Sequence, residues 1–135
     1  MPFDLDRHFT YHAPTEDVAP KYAAIRAAEF KAHILFAQLR ERSAPAEGQP
    51  LTVEDCDAVN ETTRALAEAI DVNAPDSADK TAAYRCVRLA RNGANEWIMA
   101  HVSGYPLHVD SLVLATENLV LARWQANGAI ACGGK

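Results

Sequence analysis

The residues best suited to chemistry in this chain are one aromatic segment and two sets of basic side chains. The segment Phe9-Thr10-Tyr11-His12-Ala13-Pro14 leads into a predicted helix that carries Arg26. A later predicted helix, which starts near Ser77, carries four basic residues with no acid between the first and the last: Lys80, Arg85, Arg88 and Arg91. An exposed aromatic ring held near fixed cations suits a ligand that has a flat base and a phosphate.

The composition restricts the class of protein. A chain of 135 residues, of which 49% are hydrophobic and 23% are charged, is typical of a single globular domain. The net charge of −5 argues against a protein that binds nucleic acid polymers, because those proteins need a basic face. A small anion stays compatible with the sequence, since a local group of arginines can outweigh an acidic average.

The cysteines and the hydropathy pattern indicate a cytosolic location. Cys56, Cys86 and Cys132 are odd in number and form no CxxC pair, so we expect reduced thiols. The first residues are charged and lack the apolar run of a signal peptide. No apolar stretch reaches the roughly 18–20 residues that a bilayer-spanning helix needs.

Hydrophobic periodicity predicts an all-α fold of helical hairpins in one domain, residues 1–135, with about four helices and an extended N-terminal arm over 1–17. We expect the first helix over about 21–42. The second starts at Thr52, whose spacing from Asp55 is close to a capping box, and ends near Ile70. The third is capped by Ser77 and ends before Gly104, and the fourth starts at 110 or 111 and ends near 128.

The fourth helix is apolar on more than one side, through Leu112, Val113 and Leu114 and again through Leu119, Val120 and Leu121. A helix with such a wide apolar surface needs more than one neighbour, which suggests burial at a subunit interface.

Other interpretations of the polar residues stay open. Glu29 and His33 lie at i and i+4, a spacing that can hold a metal, although we favour a partly exposed pair on the helix surface. No Ser-His-Asp or Cys-His arrangement is recognisable, so we expect no enzyme. The arginine row, Arg85, Arg88 and Arg91, could be a solvated face paired with Glu61 and Glu68. Arg26 could be an ordinary surface charge, and Tyr11 could be a hydrophobic staple.

Two blocks of sequence resemble a known family. The first is Phe9-Thr10-Tyr11-His12-Ala13-Pro14 followed by Tyr22, Ile25 and Arg26, which is similar to "F-x-Y-H-x-P … Y-x-x-I-R". The second is Ser77-Ala78-Asp79-Lys80-Thr81 followed by Ala83, Val87, Ala94-Asn95 and Ile98, which is similar to "S-x-[ED]-K-[ST]-x-x-A … L … A-N-x-x-I". Both patterns belong to the bacteriophage anti-CBASS and anti-Thoeris hairpin family.

The resemblance implies a non-catalytic sponge for immune second messengers that acts in the cytoplasm of an infected bacterial host, without a cofactor. Members are α-helical homo-oligomers, dimers and commonly hexamers. They bind cyclic dinucleotides, and in some cases cyclic trinucleotides or cyclic ADP-ribose isomers, between subunits. By the same resemblance, Tyr11 would stack on a base, His12 would shape the arm and Arg26 would neutralise a phosphate. The pocket would be completed by Ser77, Lys80 and Thr81, at a helix start whose free N–H groups favour an anion.

The chain also departs from the family pattern. Residues 43–76 insert a loop and a helix, and residues 104–135 add a C-terminal helix and tail. These additions could alter the assembly or reshape the pocket. A second hypothesis is a non-catalytic structural or regulatory phage protein that acts through protein–protein contacts of its fourth helix. A nucleotide hydrolase or a metal-binding bundle is a third alternative.

Overall fold

Four long helices form the fold in a computed structural model, which describes residues 18–43, 50–107 and 109–132. The predicted arm over 1–17 and the last residues, 133–135, lie outside these ranges. The helices are α1 (Ala19–Arg42), α2 (Glu54–Asn73), α3 (Ala78–Ser103) and α4 (Ser111–Cys132). The described residues contain no strand, so the all-α prediction is confirmed for them.

The helices form a closed ring in which each packs mainly against two neighbours. The packed pairs are α1 with α2, α2 with α3, α3 with α4, and α1 with α4. Arg42 at the end of α1 bonds to Asp55 at the start of α2, with 2.7 Å between Nη1 and Oδ1. Arg40 contacts Asp110 before α4 in the same way. Successive helices therefore run antiparallel, as short connections require, and α1 lies diagonally opposite α3.

The bundle has two ends, which we name after one residue at each. The Ser77 end holds the starts of α1 and α3 and the ends of α2 and α4. The Asp110 end holds the other four helix termini. A hydrogen bond of 2.9 Å from the Tyr84 hydroxyl to Asp71 joins α3 to α2 near the Ser77 end.

Buried residues recur every three or four positions along each helix, as the hydrophobic periodicity of the sequence predicts. In α1 the buried positions are Ile25, Glu29, Ala32, Phe36 and Leu39. In α3 and α4 many core positions are alanine, including Ala83, Ala90 and Ala94 of α3 and Ala115, Ala122 and Ala126 of α4. Small side chains let the two helix backbones approach closely, and Gly93 continues this pattern against α4.

The helix ends agree with the sequence at α3 and differ elsewhere. The hydroxyl of Ser77 caps α3, and Gly104 ends it with a φ of 75°, a conformation that glycine adopts without strain. Helix α1 starts two residues earlier than expected because Pro20 fits the first turn, where no backbone N–H is needed. Asp55 accepts a hydrogen bond from the backbone of Thr52, which is one half of the expected capping box.

The ends of α2 and α4 lie further along the chain than predicted. Helix α2 continues to Asn73, where the turn before Pro75 stops it. Helix α4 is capped by Asp110, whose Oδ1 accepts from the backbone of Val113 at 3.0 Å. It continues past Gly128 to Cys132, because Gly128 is accommodated within the helix and does not end it.

The wide apolar surface of α4 is explained mostly within the chain. Its core residues Leu112 and Leu119 are buried, because α4 packs between α1 and α3. Val113 and Leu114 remain exposed. The apolar width of α4 therefore does not require a second subunit. None of the described helices is both long and apolar enough to span a membrane.

Candidate functional site

Three of the predicted ligand residues lie together at the Ser77 end. The Oγ atom of Ser77 accepts a hydrogen bond from the backbone N–H of Lys80 at 3.1 Å. The hydroxyl of Thr81 donates to the carbonyl oxygen of Ser77 at 3.2 Å. Ser77 and Thr81 are both exposed, so the first turn of α3 faces solvent. A helix start of this kind presents backbone N–H groups to an anion.

Lys80 turns inward from this helix start. Its ammonium group lies 3.1 Å from the carbonyl oxygen of Asp71 and 3.1 Å from Oδ1 of Asp76. Its side chain is 8% exposed, and it lies 5.9 Å from the ring centre of Tyr84. Lys80 therefore fastens the end of α2 to the start of α3. The resemblance implies that Lys80 binds a phosphate, but such a phosphate would have to compete with Asp71 and Asp76 for the ammonium group.

The charges of this cluster support one another. Burial alone would lower the pKa of Lys80, but the hydrogen bond to Asp76, the negative charge of that carboxylate and the hydrogen bond to Asp71 outweigh burial, so the pKa is raised. The hydrogen bonds from Tyr84 and Lys80 lower the pKa of Asp71. Lys80 is therefore a fixed positive charge at neutral pH.

Arg26 lies on a different side of the bundle. It is exposed in the second turn of α1, and no ion pair joins it to another residue that the structure describes. Because α1 and α3 are diagonal neighbours, a single copy of the chain does not bring Arg26 beside Ser77 and Thr81. Tyr11 and His12 lie outside the described residues, so their predicted stacking and shaping roles stay predictions.

The sequence did not predict the ion pair between α1 and α4. Arg123 of α4 donates from Nε to Oε1 of Glu29, and Nε2 of His33 lies 3.2 Å from Oε2 of the same carboxylate. The Glu29 side chain is only 9% exposed, so the expectation of a surface pair with His33 is wrong for Glu29. The signal that could have indicated this contact was Arg123, the one basic residue of a helix rich in apolar side chains, since buried charges need partners.

The environment of Glu29 keeps it charged. Burial alone would raise the pKa of this carboxyl group, but the hydrogen bonds from His33 and Arg123 outweigh burial and lower the pKa below its usual value of 4.5. Both oxygens of the carboxylate are engaged by the protein. Within the described residues, no group of three His, Cys, Asp or Glu side chains could hold a metal ion.

The arginine row on α3 does not pair with the acids expected for it. Glu61 and Glu68 of α2 both bond to Arg64 of the same helix, each at 2.7 Å. The three arginines of the row are exposed, and none forms an ion pair with another described residue: Arg85, Arg88 and Arg91. The predicted pairing between the helices is therefore wrong, because Arg64 is closer in sequence to both acids.

A second cluster, also unpredicted, closes the Asp110 end. Arg40 reaches both carboxylate oxygens of Asp110 at 2.7 Å, and its guanidinium lies 5.1 Å from the ring centre of Trp97. Nδ1 of His101 lies 2.8 Å from the carbonyl oxygen of Trp97. These contacts join α1, α3 and α4. We assign them a structural role because they connect three helices at one end of the bundle. The indole Nε1 of Trp97 is buried and has no hydrogen-bond partner among the described residues.

Two of the three thiols, those of Cys56 and Cys86, have raised pKa values. Cys56, Cys86 and Cys132 are free, as the sequence predicts. Burial raises the pKa of Cys86, and burial with the carboxylates of Asp55 and Asp57 raises that of Cys56. These two thiols therefore stay protonated at neutral pH.

No protein-family model matches the chain, and neither a curated protein nor a solved structure matches it.

Proposed function

We propose that this chain binds cyclic oligonucleotide immune second messengers and sequesters them without cleavage, as an anti-defence protein of a bacteriophage in the cytoplasm of an infected bacterium. The observation that supports the proposal most is that the two helices that carry the sponge-like sequence blocks, α1 and α3, both start at the same end of the bundle. The first block leads into α1 at Val18, and the second opens α3 at Ser77. Because α1 and α3 run parallel, the starts of both helices lie at the Ser77 end, diagonally across the bundle from each other.

The chain geometry is compatible with a ligand that uses the arm and α1 together. From Tyr11 to Val18 the chain can extend by up to about 25 Å. Along α1, Arg26 lies about 11 Å from the helix start. Tyr11 can therefore reach a base whose phosphate is bound by Arg26, and His12 would lie beside it. Arg26 is available for this role because no ion pair within the described residues occupies it.

The diagonal positions of α1 and α3 favour a site shared between copies. In one copy, a ligand that contacts Arg26, Ser77 and Thr81 would have to cross the end of the bundle. In a homo-oligomer, a dimer or a hexamer, Arg26 of one copy and the α3 start of another can lie on the same ligand. A two-fold interface would present each group twice to a near-symmetric cyclic dinucleotide.

In this site Lys80 would act mainly by stabilising the turn between α2 and α3. Its ammonium already bonds to Asp71 and Asp76, so it fixes the orientation of Ser77 and Thr81. Its positive charge still lies within one helical turn of the exposed N–H groups. The carboxylates of Asp71 and Asp76 offset that charge, so the attraction of a phosphate to the α3 start would depend on the backbone N–H groups.

The test is calorimetric titration of the purified protein with cyclic dinucleotides, cyclic trinucleotides and cyclic ADP-ribose isomers. We expect tight binding, and chromatography should recover the ligand unchanged. Tyr11→Ala and Arg26→Ala should each weaken binding by about 1–2 kcal/mol, from lost stacking and lost charge-assisted bonds. The melting temperature without ligand should change little for Arg26→Ala.

The matched controls are Tyr105→Ala and Lys31→Ala. Tyr105 is an exposed aromatic residue towards the Asp110 end, and Lys31 is an exposed cation elsewhere on α1. Both variants should bind as the wild type does. If no compound in the panel binds, the sponge proposal is wrong. If the ligand is recovered as a linear product, the protein is a hydrolase.

Exposed apolar side chains on neighbouring helices support a second candidate function, contact with another protein through α4. Val113 and Leu114 of α4 and Ile34 of α1 are exposed by more than two-fifths of their surface. Sedimentation of the wild type and of Leu114→Glu, without nucleotide, tests this candidate. A change in mass for the variant supports it, and identical sedimentation of a monomer argues against self-association through this surface.

A further inference from the structure

Helix α1 has two faces with the same spacing on opposite sides. The face towards the core runs from Ile25 to Leu39 in alternating steps of four and three residues. The second face is offset from it by two residues, which is about 200° around the helix. All side chains of this second face are exposed, and we name it the α1 seam: Ala23, Ala27, Phe30, Ile34 and Ala37.

The α1 seam has the pattern of a coiled-coil surface. Alternating steps of four and three residues place apolar side chains on one line, against which a second helix can pack. Phe30 is 53% exposed and Ile34 is 46% exposed, and these two large side chains form the centre of the seam. The alanines on either side are small, so a second helix can approach closely. The helices that the structure describes leave this seam uncovered.

The charges beside the α1 seam restrict the kind of helix that fits it. The flanking positions hold basic side chains and no acid: Arg26, Lys31, His33 and Arg40. Carboxylates of the chain already engage His33 and Arg40. Arg26 and Lys31 form no ion pair with another described residue. Because charges beside a coiled-coil seam determine the choice of partner, these two cations favour acidic side chains on the other helix.

Two other occupants fit the seam less well. Two copies of the seam packed on each other would bring their basic edges together, and such like charges repel. A helix that lies on a bilayer buries large side chains such as Trp, Phe and Leu along its apolar face. Most of the α1 seam is alanine, which buries little surface in a bilayer but suits the close approach of a helix.

We propose that the α1 seam is the docking site for an amphipathic helix of another protein, with acidic residues on both sides of its apolar line. The apolar side chains of that helix would cover Phe30 and Ile34, and its carboxylates would pair with Arg26 and Lys31. The net charge of −5 does not prevent this contact, because charges more than about 8 Å away are largely screened at physiological ionic strength. The inference does not rest on the sponge function.

The experiment measures the fluorescence anisotropy of two labelled synthetic peptides as the purified protein is added. Each peptide has about 20 residues, long enough to form a helix, with leucines in alternating steps of four and three. Glutamates flank the leucines in the acidic peptide, and lysines flank them in the basic peptide. We expect the acidic peptide to bind, and the basic peptide to bind at least about tenfold more weakly.

Three variants test the site, and all of them keep Arg26. Ile34→Glu should weaken binding of the acidic peptide by about tenfold or more, because it places a charge within the apolar line. Leu89→Glu is the matched control, since Leu89 of α3 is 48% exposed and lies outside the seam, and this variant should bind as the wild type does. Lys31→Glu should weaken binding of the acidic peptide and strengthen binding of the basic one, a reversal that loss of structure would not produce.

Several results would overturn the inference. They are no binding of the acidic peptide, equal binding of both peptides, and equal losses in Ile34→Glu and Leu89→Glu. Sedimentation without peptide tests the second copy, because an oligomer that Ile34→Glu dissociates would show that the chain itself covers the seam. Flotation with vesicles that contain phosphatidylserine tests the bilayer in the same way. Failure of cyclic nucleotide binding would leave this inference standing, and failure of peptide binding would leave the sponge function standing.

Discussion

Arg123, near the middle of α4, donates a hydrogen bond to the buried carboxylate of Glu29, near the middle of α1. These two helices are the first and the last of the bundle, so their contact closes the ring. Glu29 occupies a position in the repeat of buried residues along α1 where an apolar side chain would be expected. The fold therefore places a charge in its core and satisfies it from the helix that is most distant in sequence.

Replacing Arg123 by leucine should destabilise the protein strongly. The substitution breaks a buried ion pair and leaves His33 as the other group in contact with the Glu29 carboxylate. Breaking a buried ion pair costs about 3 kcal/mol or more. Urea unfolding followed by circular dichroism measures the change. The exposed ion pairs of Arg64 provide the control, and Arg64→Leu should cost less than about 1 kcal/mol.

The double variant Glu29→Leu/Arg123→Leu should recover much of the lost stability. It removes both charges and leaves apolar side chains at the contact between the helices. If the double variant is as unstable as Arg123→Leu alone, the loss comes from packing of the arginine stem and not from the unpaired carboxylate.

The stability of the protein should fall in acid partly through Glu29. Its pKa in the folded protein is lowered from 4.5, because the bonds from His33 and Arg123 outweigh burial. A lowered carboxyl pKa contributes stability that is complete above the unfolded value and is lost as the pH falls from about 4.5 through the folded value. Urea unfolding between neutral pH and pH ~3 should therefore show a steeper decline for the wild type than for Glu29→Gln.

The exposed Glu96 provides the control for this pH series, since no ion pair joins it to a described residue. Glu96→Gln should follow the wild-type curve. Parallel curves for Glu29→Gln and the wild type would mean that the carboxylate of Glu29 has the same pKa in the folded and the unfolded chain, contrary to the geometry.

Two glycines within helices should respond to alanine in opposite directions. A Cβ atom on Gly93 would lie 2.9 Å from the carbonyl oxygen of Ser111 and 3.2 Å from Cβ of Ala115, so α3 and α4 would have to separate. On Gly128 the nearest atom, Oδ2 of Asp79, would be at 3.4 Å, an ordinary contact. Gly93→Ala should therefore lower the melting temperature. Gly128→Ala should raise it, because alanine stabilises a helix by about 0.5–1 kcal/mol relative to glycine.

Thermal unfolding of the two variants side by side is the measurement. Each change gains the same intrinsic helix propensity, so the difference between them reports the contact between α3 and α4. Equal stabilisation by both substitutions would contradict the close approach at Gly93.

Two substitutions at Ser77 should distinguish its role as the helix cap of α3 from its proposed role in ligand binding. Ser77→Ala removes the acceptor for the Lys80 backbone and should cost about 1 kcal/mol of stability. Ser77→Asp restores a capping acceptor, so its melting temperature should return to that of the wild type. Its negative charge should nevertheless weaken the binding of a phosphate ligand at the α3 start, which titration with a cyclic dinucleotide detects. Wild-type affinity in Ser77→Asp would remove the α3 start from the proposed site.

The sequence by itself determined the helical content, the cap at Ser77 and the end of α3 at Gly104. These features depend on local periodicity and on backbone conformations of single residues, which act within a few positions of the chain. The partners of the charged residues were not predictable in the same way. Arg64 pairs with Glu61 and Glu68, the acids expected to pair with the arginines of α3. Lys80 turns inward and bonds to Asp71 and Asp76.

Only the tertiary structure decided that the four helices close into a ring. That closure pairs Glu29 with Arg123 and separates Arg26 from the α3 start within one copy. The physical reason is that contacts between residues so distant in sequence depend on the register and rotation of packed helices. Those are fixed by the small residues that allow α3 and α4 to approach closely, and no local pattern in the chain encodes them.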